Sequence, residues 1–201
     1  MKRILLAILL AGCTLAMSAQ MKVNYKGSKP AIDDFIWALV TYSTEETDAD
    51  HESINAVRDA MERYRRGASQ PKNITFTVDK QNGYALYESK QDETLVRVDM
   101  CYWNEADGKH KIFAFNTTTF MDGQSYRGEF DGIMFYRYDN ITKRLDTYFS
   151  DNFDALYACD LEGWNTFSLP RQGKDIVVTT WYDDAPSKKR TVKWNGHGFS
   201  K

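Results

Sequence analysis

The chain is predicted to be mainly β, of the α+β kind, with an N-terminal helical hairpin followed by an antiparallel β-meander that curls into a sandwich or open barrel. Three observations predict it. Apolar residues recur at helical spacing between residues 28 and 67, the period changes to two from Asn73 onward, and the alternating runs are short and divided by Asn, Asp and Gly turn signals. Short sequential strands joined by tight turns pair antiparallel with their neighbours. A helical pair with one apolar face then has a sheet face or a barrel end to cover.

Ahead of these elements, Met1 to Gln20 reads as a secretory signal. Lys2 and Arg3 are followed by the apolar run Ile4 to Leu10 and the small-residue stretch Ala16-Met17-Ser18-Ala19, the order of n-region, h-region and cleavage site. The run is shorter than the roughly 20 apolar residues that cross a bilayer, and no second one follows. Residues 1–19 are therefore expected to be removed, leaving 20–201 as a single mainly-β domain without a transmembrane span. Leu10-Ala11-Gly12-Cys13 also matches a lipobox, which would make Cys13 a lipidation site. Cleavage there leaves an unusually short signal, and Thr14 to Met17 is apolar where a lipid-anchored protein carries a polar tether, so cleavage near Ala19 is the preferred reading. The expected location is periplasmic, outer-membrane-associated or secreted, with lipid anchoring as the alternative.

Loss of residues 1–19 removes one lysine, one arginine and no acid, leaving 24 basic against 28 acidic side chains and a net charge of about −4. A mildly acidic chain without a basic run lacks the footprint of a nucleic-acid binder. Arg63, Arg65 and Arg66 are read as the solvated end of a helix. Cys101 and Cys159 remain after cleavage; an oxidising compartment permits a disulfide between them, while two buried thiols acting as small apolar side chains is the alternative.

In the first helix Ser28 is the expected cap, Pro30 suits the first turn, Asp33 and Asp34 complement the helix dipole, and Ile32, Phe35, Ile36 and Leu39 form the apolar face. An acidic loop from Glu45 to Asp50 leads to the second, where Ile54, Val57, Met61 and Tyr64 form a stripe and Gly67 ends it. That loop lacks the glycine of an EF-hand and is read as solvated. Ile74, Phe76 and Val78 then alternate with polar residues, and Asn82-Gly83 signals the turn into Tyr84 to Tyr87. Further strands are read at Val96 to Trp103, Ile112 to Phe115, Ile133 to Tyr138, Arg144 to Phe149, Asn165 to Leu169, Ile176 to Tyr182 and Arg190 to Trp194. Three of the hairpins share a pattern of closing aromatics, polar turn and basic restart at spacings of about 40 residues. An internal repeat and convergent hairpin chemistry both explain it.

Standard catalytic signatures are absent: no HExxH, Walker loop, GxGxxG, GxSxG or CxxC. His51, His110 and His197 have no metal-type spacing, so no metal and no cofactor are expected. Met121 to Gly132 is the most informative connection, with Gly123, Gly128 and Gly132 spaced among Asp122, Tyr126, Glu129 and Asp131, which can offer oxygens to a polyol or cation. Trp103 and Trp181 add strand aromatics able to stack on a sugar or grip a partner. Those six, Asp122, Tyr126, Glu129, Asp131, Trp103 and Trp181, are the candidate ligand-binding residues; no catalytic residue is assigned.

At the C-terminus, Leu169-Pro170-Arg171-Gln172-Gly173-Lys174-Asp175-Ile176 and Lys193-Trp194-Asn195-Gly196-His197-Gly198-Phe199 resemble the ending of small exported proteins from Bacteroidetes-type bacteria, and the Ser18-Ala19-Gln20 junction is similar to their signal ends. The resemblance covers the leader and about the last 35 residues. It implies an envelope protein and transfers no catalytic residue. The expected function is therefore a non-enzymatic exported domain that binds a ligand or partner, an envelope protein or a glycan. A glycan-directed hydrolase using a carboxylate pair and a structural component of an envelope assembly are the alternatives.

Overall fold

Alternation in the strand runs and helical periodicity in the N-terminal region are realised as three layers around one large sheet. The computed structural model describes residues 21–45, 52–126, 131–148 and 163–200. Residues 1–20, which include Cys13, and the residues Glu129, His51 and Cys159 lie outside the described residues.

Helices α1 (Ile32–Glu45) and α2 (Glu52–Arg65) form the expected hairpin. Ser28 is not the cap. The helix starts at Ile32, which puts Ala31 at the cap position, and the Asp34 carboxylate accepts the Ala31 N–H at 2.8 Å, the reach-back half of a capping box. At the other end of the hairpin Gly67 has φ +67°, and the Ala68 and Gly67 N–H groups donate to Arg63 O and Tyr64 O, the Schellman arrangement that needs a left-handed residue. The basic residues there are tied locally, Arg65 over the Trp37 ring at 4.4 Å and Arg66 to Glu62 at 3.2 Å.

The large sheet contains β1 (Met21–Lys22), β2 (Ile74–Asp79), β3 (Tyr84–Gln91), β4 (Thr94–Asn104), β5 (His110–Met121), β6 (Gln124–Tyr126), β7 (Gly132–Asp139) and β8 (Arg144–Thr147). Its order is β1-β8-β7-β5-β4-β3-β2, with β6 beside β5, and it curls into an open half-barrel. A second sheet, β12-β11-β10-β9, is formed by β9 (Gly163–Ser168), β10 (Ile176–Tyr182), β11 (Lys188–Trp194) and β12 (Phe199–Ser200). Strands β3 and β5 run well beyond their expected ends at Tyr87 and Phe115. Alternation of apolar residues marks only the part of a strand that has a core on one face, and both strands continue into a polar stretch.

Each face of the large sheet carries its own core. On one, Phe35, Ile36, Leu39, Val57 and Met61 of the helices meet Val98, Met100, Phe113, Phe115 and Tyr138. On the other, Trp103, Ile112, Ala114 and Phe135 meet Phe167, Ile176, Val178, Val192, Trp194 and Phe199 of the second sheet. Cys101 belongs to this second core as a free, buried thiol, so no disulfide is found at that position. The three similar hairpins do not stack as equivalent blades. Two share the large sheet, whereas β10–β11 lies in the other.

Candidate functional site

The helix-facing row of β5 reads Phe113, Phe115, Thr117, Thr119, Met121, because alternate residues of a strand share a face. The first two are core residues; past Phe115 the row turns polar, and the sheet is no longer filled by the helices. A groove of about 520 Å³ opens there between the first turn of α2 and the ends of β3, β4 and β5. Glu52 and Ser53 line it from α2, Tyr87 and Ser89 from β3, Asp92, Glu93 and Thr94 from the β3–β4 turn and β4, Thr117, Thr119 and Met121 from β5, and Asp131 from the chain leading into β7.

The two tight turns that end the sheet fix this geometry. Gln91 pairs with Thr94 and Met121 with Gln124, leaving the two-residue turns Asp92-Glu93 and Asp122-Gly123. Asp92, Asp122 and Gly123 all have positive φ, conformations that Asp tolerates and Gly favours. Thr117, only 5% exposed, lies on the floor with its Oγ1 3.4 Å from Ser53 Oγ. Asp131 bridges the point where β5 passes from pairing with β6 to pairing with β7. Its carboxylate accepts the Thr119 N–H at 2.7 Å and the Thr119 hydroxyl at 2.9 Å. Burial raises the Tyr87 phenol above its ordinary pKa, with Asp59 and Glu52 adding to the effect against a lowering hydrogen bond with Ser89, so Tyr87 stays a neutral hydroxyl.

The candidate residues from Met121 to Gly132 are divided by the structure. Asp131 lines the groove, whereas Asp122 and Gly123 line a second cavity of about 550 Å³ with Arg97 and Phe120, which project from the opposite face of the same sheet end. Tyr126 is half-exposed on β6, so part of the expected loop is a strand. Trp103 is 4% exposed and packs in the second core, its indole N–H donating to Lys174 O at 2.8 Å. Trp181 is cross-strand from Trp164 on the second sheet and donates its indole N–H to Thr166 Oγ1. Neither tryptophan reaches the groove. No protein-family model, curated protein or solved structure matches this chain.

Sequence reasoning passes over Ser53, Ser89, Thr117 and Thr119. A signal for the last two is present in Asn116-Thr117-Thr118-Thr119, a polar run directly continuing an apolar strand. All of Asn116, Thr117 and Thr118 are buried. A second grouping absent from the spacing arguments is Glu105, Asp107 and His110, whose ligand atoms lie within 4.8 Å of one another. Their atoms are already engaged: Arg137 donates to both Glu105 oxygens at 2.7 Å, and His110 Nδ1 lies 2.5 Å from Asp107 Oδ2. This is a charged clasp between the β4–β5 loop and β7.

Proposed function

We propose that the chain is an exported, non-enzymatic binding domain whose ligand site is the groove under the first turn of α2. One observation carries the reading: the helix-facing row of the longest strand changes from phenylalanine to threonine where the sheet stays unfilled, leaving a hollow of about 520 Å³, within the roughly 300–1,000 Å³ of small-ligand sites. Hydroxyls and carboxylates line it, so the ligand is polar. Among the described lining residues there is no cysteine, histidine, lysine or arginine, so these residues supply no thiol or imidazole nucleophile.

Export rests on the order of basic, apolar and small residues in the first 20 positions. The N-terminal mass of the protein recovered from its native host tests that half. A free N-terminus near Gln20 is the expected result, and an acylated Cys13 would replace release with lipid attachment. For the binding half, backbone amide spectra of the mature protein are recorded with a panel of small polar solutes. Shifts at Ser89, Thr117 and Thr119 are expected; a panel that moves only residues of the second sheet would relocate the site to the Trp164–Trp181 face.

A further inference from the structure

We infer that the groove selects a linear polycation of the aliphatic polyamine class, in preference to a neutral saccharide or a metal ion; this rests on the groove being the ligand site. Among the described lining residues its charge has one sign. Glu52, Asp92, Glu93 and Asp131 line it without a cationic side chain beside them there, while Asp92 and Glu93 also border the cavity on the other face that holds Lys90 and Arg97. Glu52 alone would be explained by the positive N-terminal end of α2. Asp92, Glu93 and Asp131 lie off that helix, and the field of a one-signed, partly enclosed hollow favours a counter-charged ligand.

The distribution of the acids separates an organic cation from a metal. They come from three parts of the chain, the α2 start, the β3–β4 turn and the β7 approach. Among the described residues the grouping of three potential ligand residues within 4.8 Å is Glu105, Asp107 and His110, which is not in the groove. A calcium ion needs six to eight oxygens at about 2.3–2.6 Å from one point. Ammonium groups spaced by methylene segments are instead matched by dispersed carboxylates. Between the acids lie surfaces that suit the rest of such a chain: the Ser89, Thr94, Thr117 and Thr119 hydroxyls accept N–H bonds, and Ala56, Val96 and Met121 contact methylenes. A saccharide site characteristically offers a flat aromatic platform, and among the described lining residues there is no tryptophan and one aromatic ring, Tyr87.

Spermidine, maltotriose and calcium chloride are the probes, each titrated into the full mature protein by calorimetry and by amide spectra. Spermidine is expected to bind one site with shifts at Ser89, Thr117 and Thr119, and to weaken several-fold between 50 and 300 mM sodium chloride through screening. The double variant E52Q/E93Q is expected to lose at least tenfold in affinity. If loss of Glu52 unsettles α2, D92N/E93Q is the second variant, since asparagine accepts the positive φ of residue 92. Maltotriose or calcium binding at those amides without spermidine would overturn the polyamine inference and leave the groove standing as a ligand site. Spermidine binding that the variants leave unchanged would also overturn it, as adsorption to other acids. No response at those amides to any probe would overturn both the inference and the site.

Discussion

Trp103 and Trp181 look interchangeable in the sequence, each an aromatic near the end of an alternating strand, yet burial assigns them differently. The Trp103 ring lies 5.2 Å from Phe199 and 6.0 Å from Trp194, edge-on to the first. W103A should therefore cost about 3–5 kcal/mol, the usual range for deleting a buried large aromatic, and would remove a large part of the roughly 5–15 kcal/mol that holds a domain folded. Chemical denaturation checks the value. In the middle of β4, the buried Asp99 carboxylate accepts the hydroxyl of Tyr84 of β3 at 2.5 Å, and Arg97 lies 3.4 Å from it. Burial raises the Asp99 pKa, which makes the Tyr84 donor important to the charged form. Y84F should destabilise by about 1–3 kcal/mol at neutral pH, the cost of a buried acceptor losing its partner. The loss should shrink in acid as Asp99 protonates, and a denaturation series in pH measures it.

The carboxyls in exposed turns have the opposite sign. Asp107 is lowered to about 2, first by its hydrogen bond with His110; Asp139 is lowered by the backbone N–H of Ile141, and Asp79 by Asn82. A carboxyl whose folded pKa lies below its unfolded value of about 4 contributes stability that is present above that value and lost as the pH falls through the folded one. Denaturant midpoints should drop between about pH 4 and pH 2. D107N, which keeps an oxygen for the turn's N–H groups, should flatten that drop. An unchanged slope would show that Asp107 contributes no proton linkage.

Among the elements, hairpins are the most legible because their chemistry is local. Asn82 and Gly83 are both used as their residue types suggest, Asn82 bonding Asp79 and Gly83 at φ +64°. A side chain at Gly83 would also come within 2.7 Å of the Tyr102 ring. Gly108 has almost the same φ, +67°, with open space around it. G83A should therefore cost about 1–3 kcal/mol more than G108A, the first combining left-handed strain with overpacking and the second carrying the strain alone. Thermal melts of the two variants make the comparison. The cap of α1 and the reach of β5 were less legible. A carboxylate three positions into a helix serves the dipole or the cap equally well in sequence, and Thr117 to Thr119 carry strand propensity without an apolar alternation to show which face they occupy. For the groove, Asp131 can be picked from the acids of a glycine-rich connection. Ser53 and Ser89 cannot, because the contact of α2 with β3 and β5 that gives them a role joins distant parts of the chain.

At the scale of the molecule, the helices and the second sheet pack on opposite faces of the same strands, so β4 and β5 contribute to both cores. Loss of either layer exposes one face of the sheet that supports the other. Unfolding is expected to be a single transition, with helix ellipticity and the near-ultraviolet signal of Trp103 and Trp194 changing at the same denaturant concentration. Separate midpoints would show that the layers unfold independently.

Strand β1 would set how far the molecule can stand from a membrane on the lipid-anchored alternative to the proposed export route. Met21 pairs with Leu145 and Lys22 with Arg144, so β1 follows directly on the segment proposed to be an export signal. With an acyl group on Cys13, the seven intervening residues could extend no more than about 25 Å. Such a leash would hold the β1–β8 edge close to the lipid headgroups with little freedom to turn. After cleavage near Ala19 there is no leash, and the groove is presented in every direction. On the proposed export reading, the position of one proteolytic cut would decide whether this protein samples the whole compartment or only the layer of solution next to the bilayer.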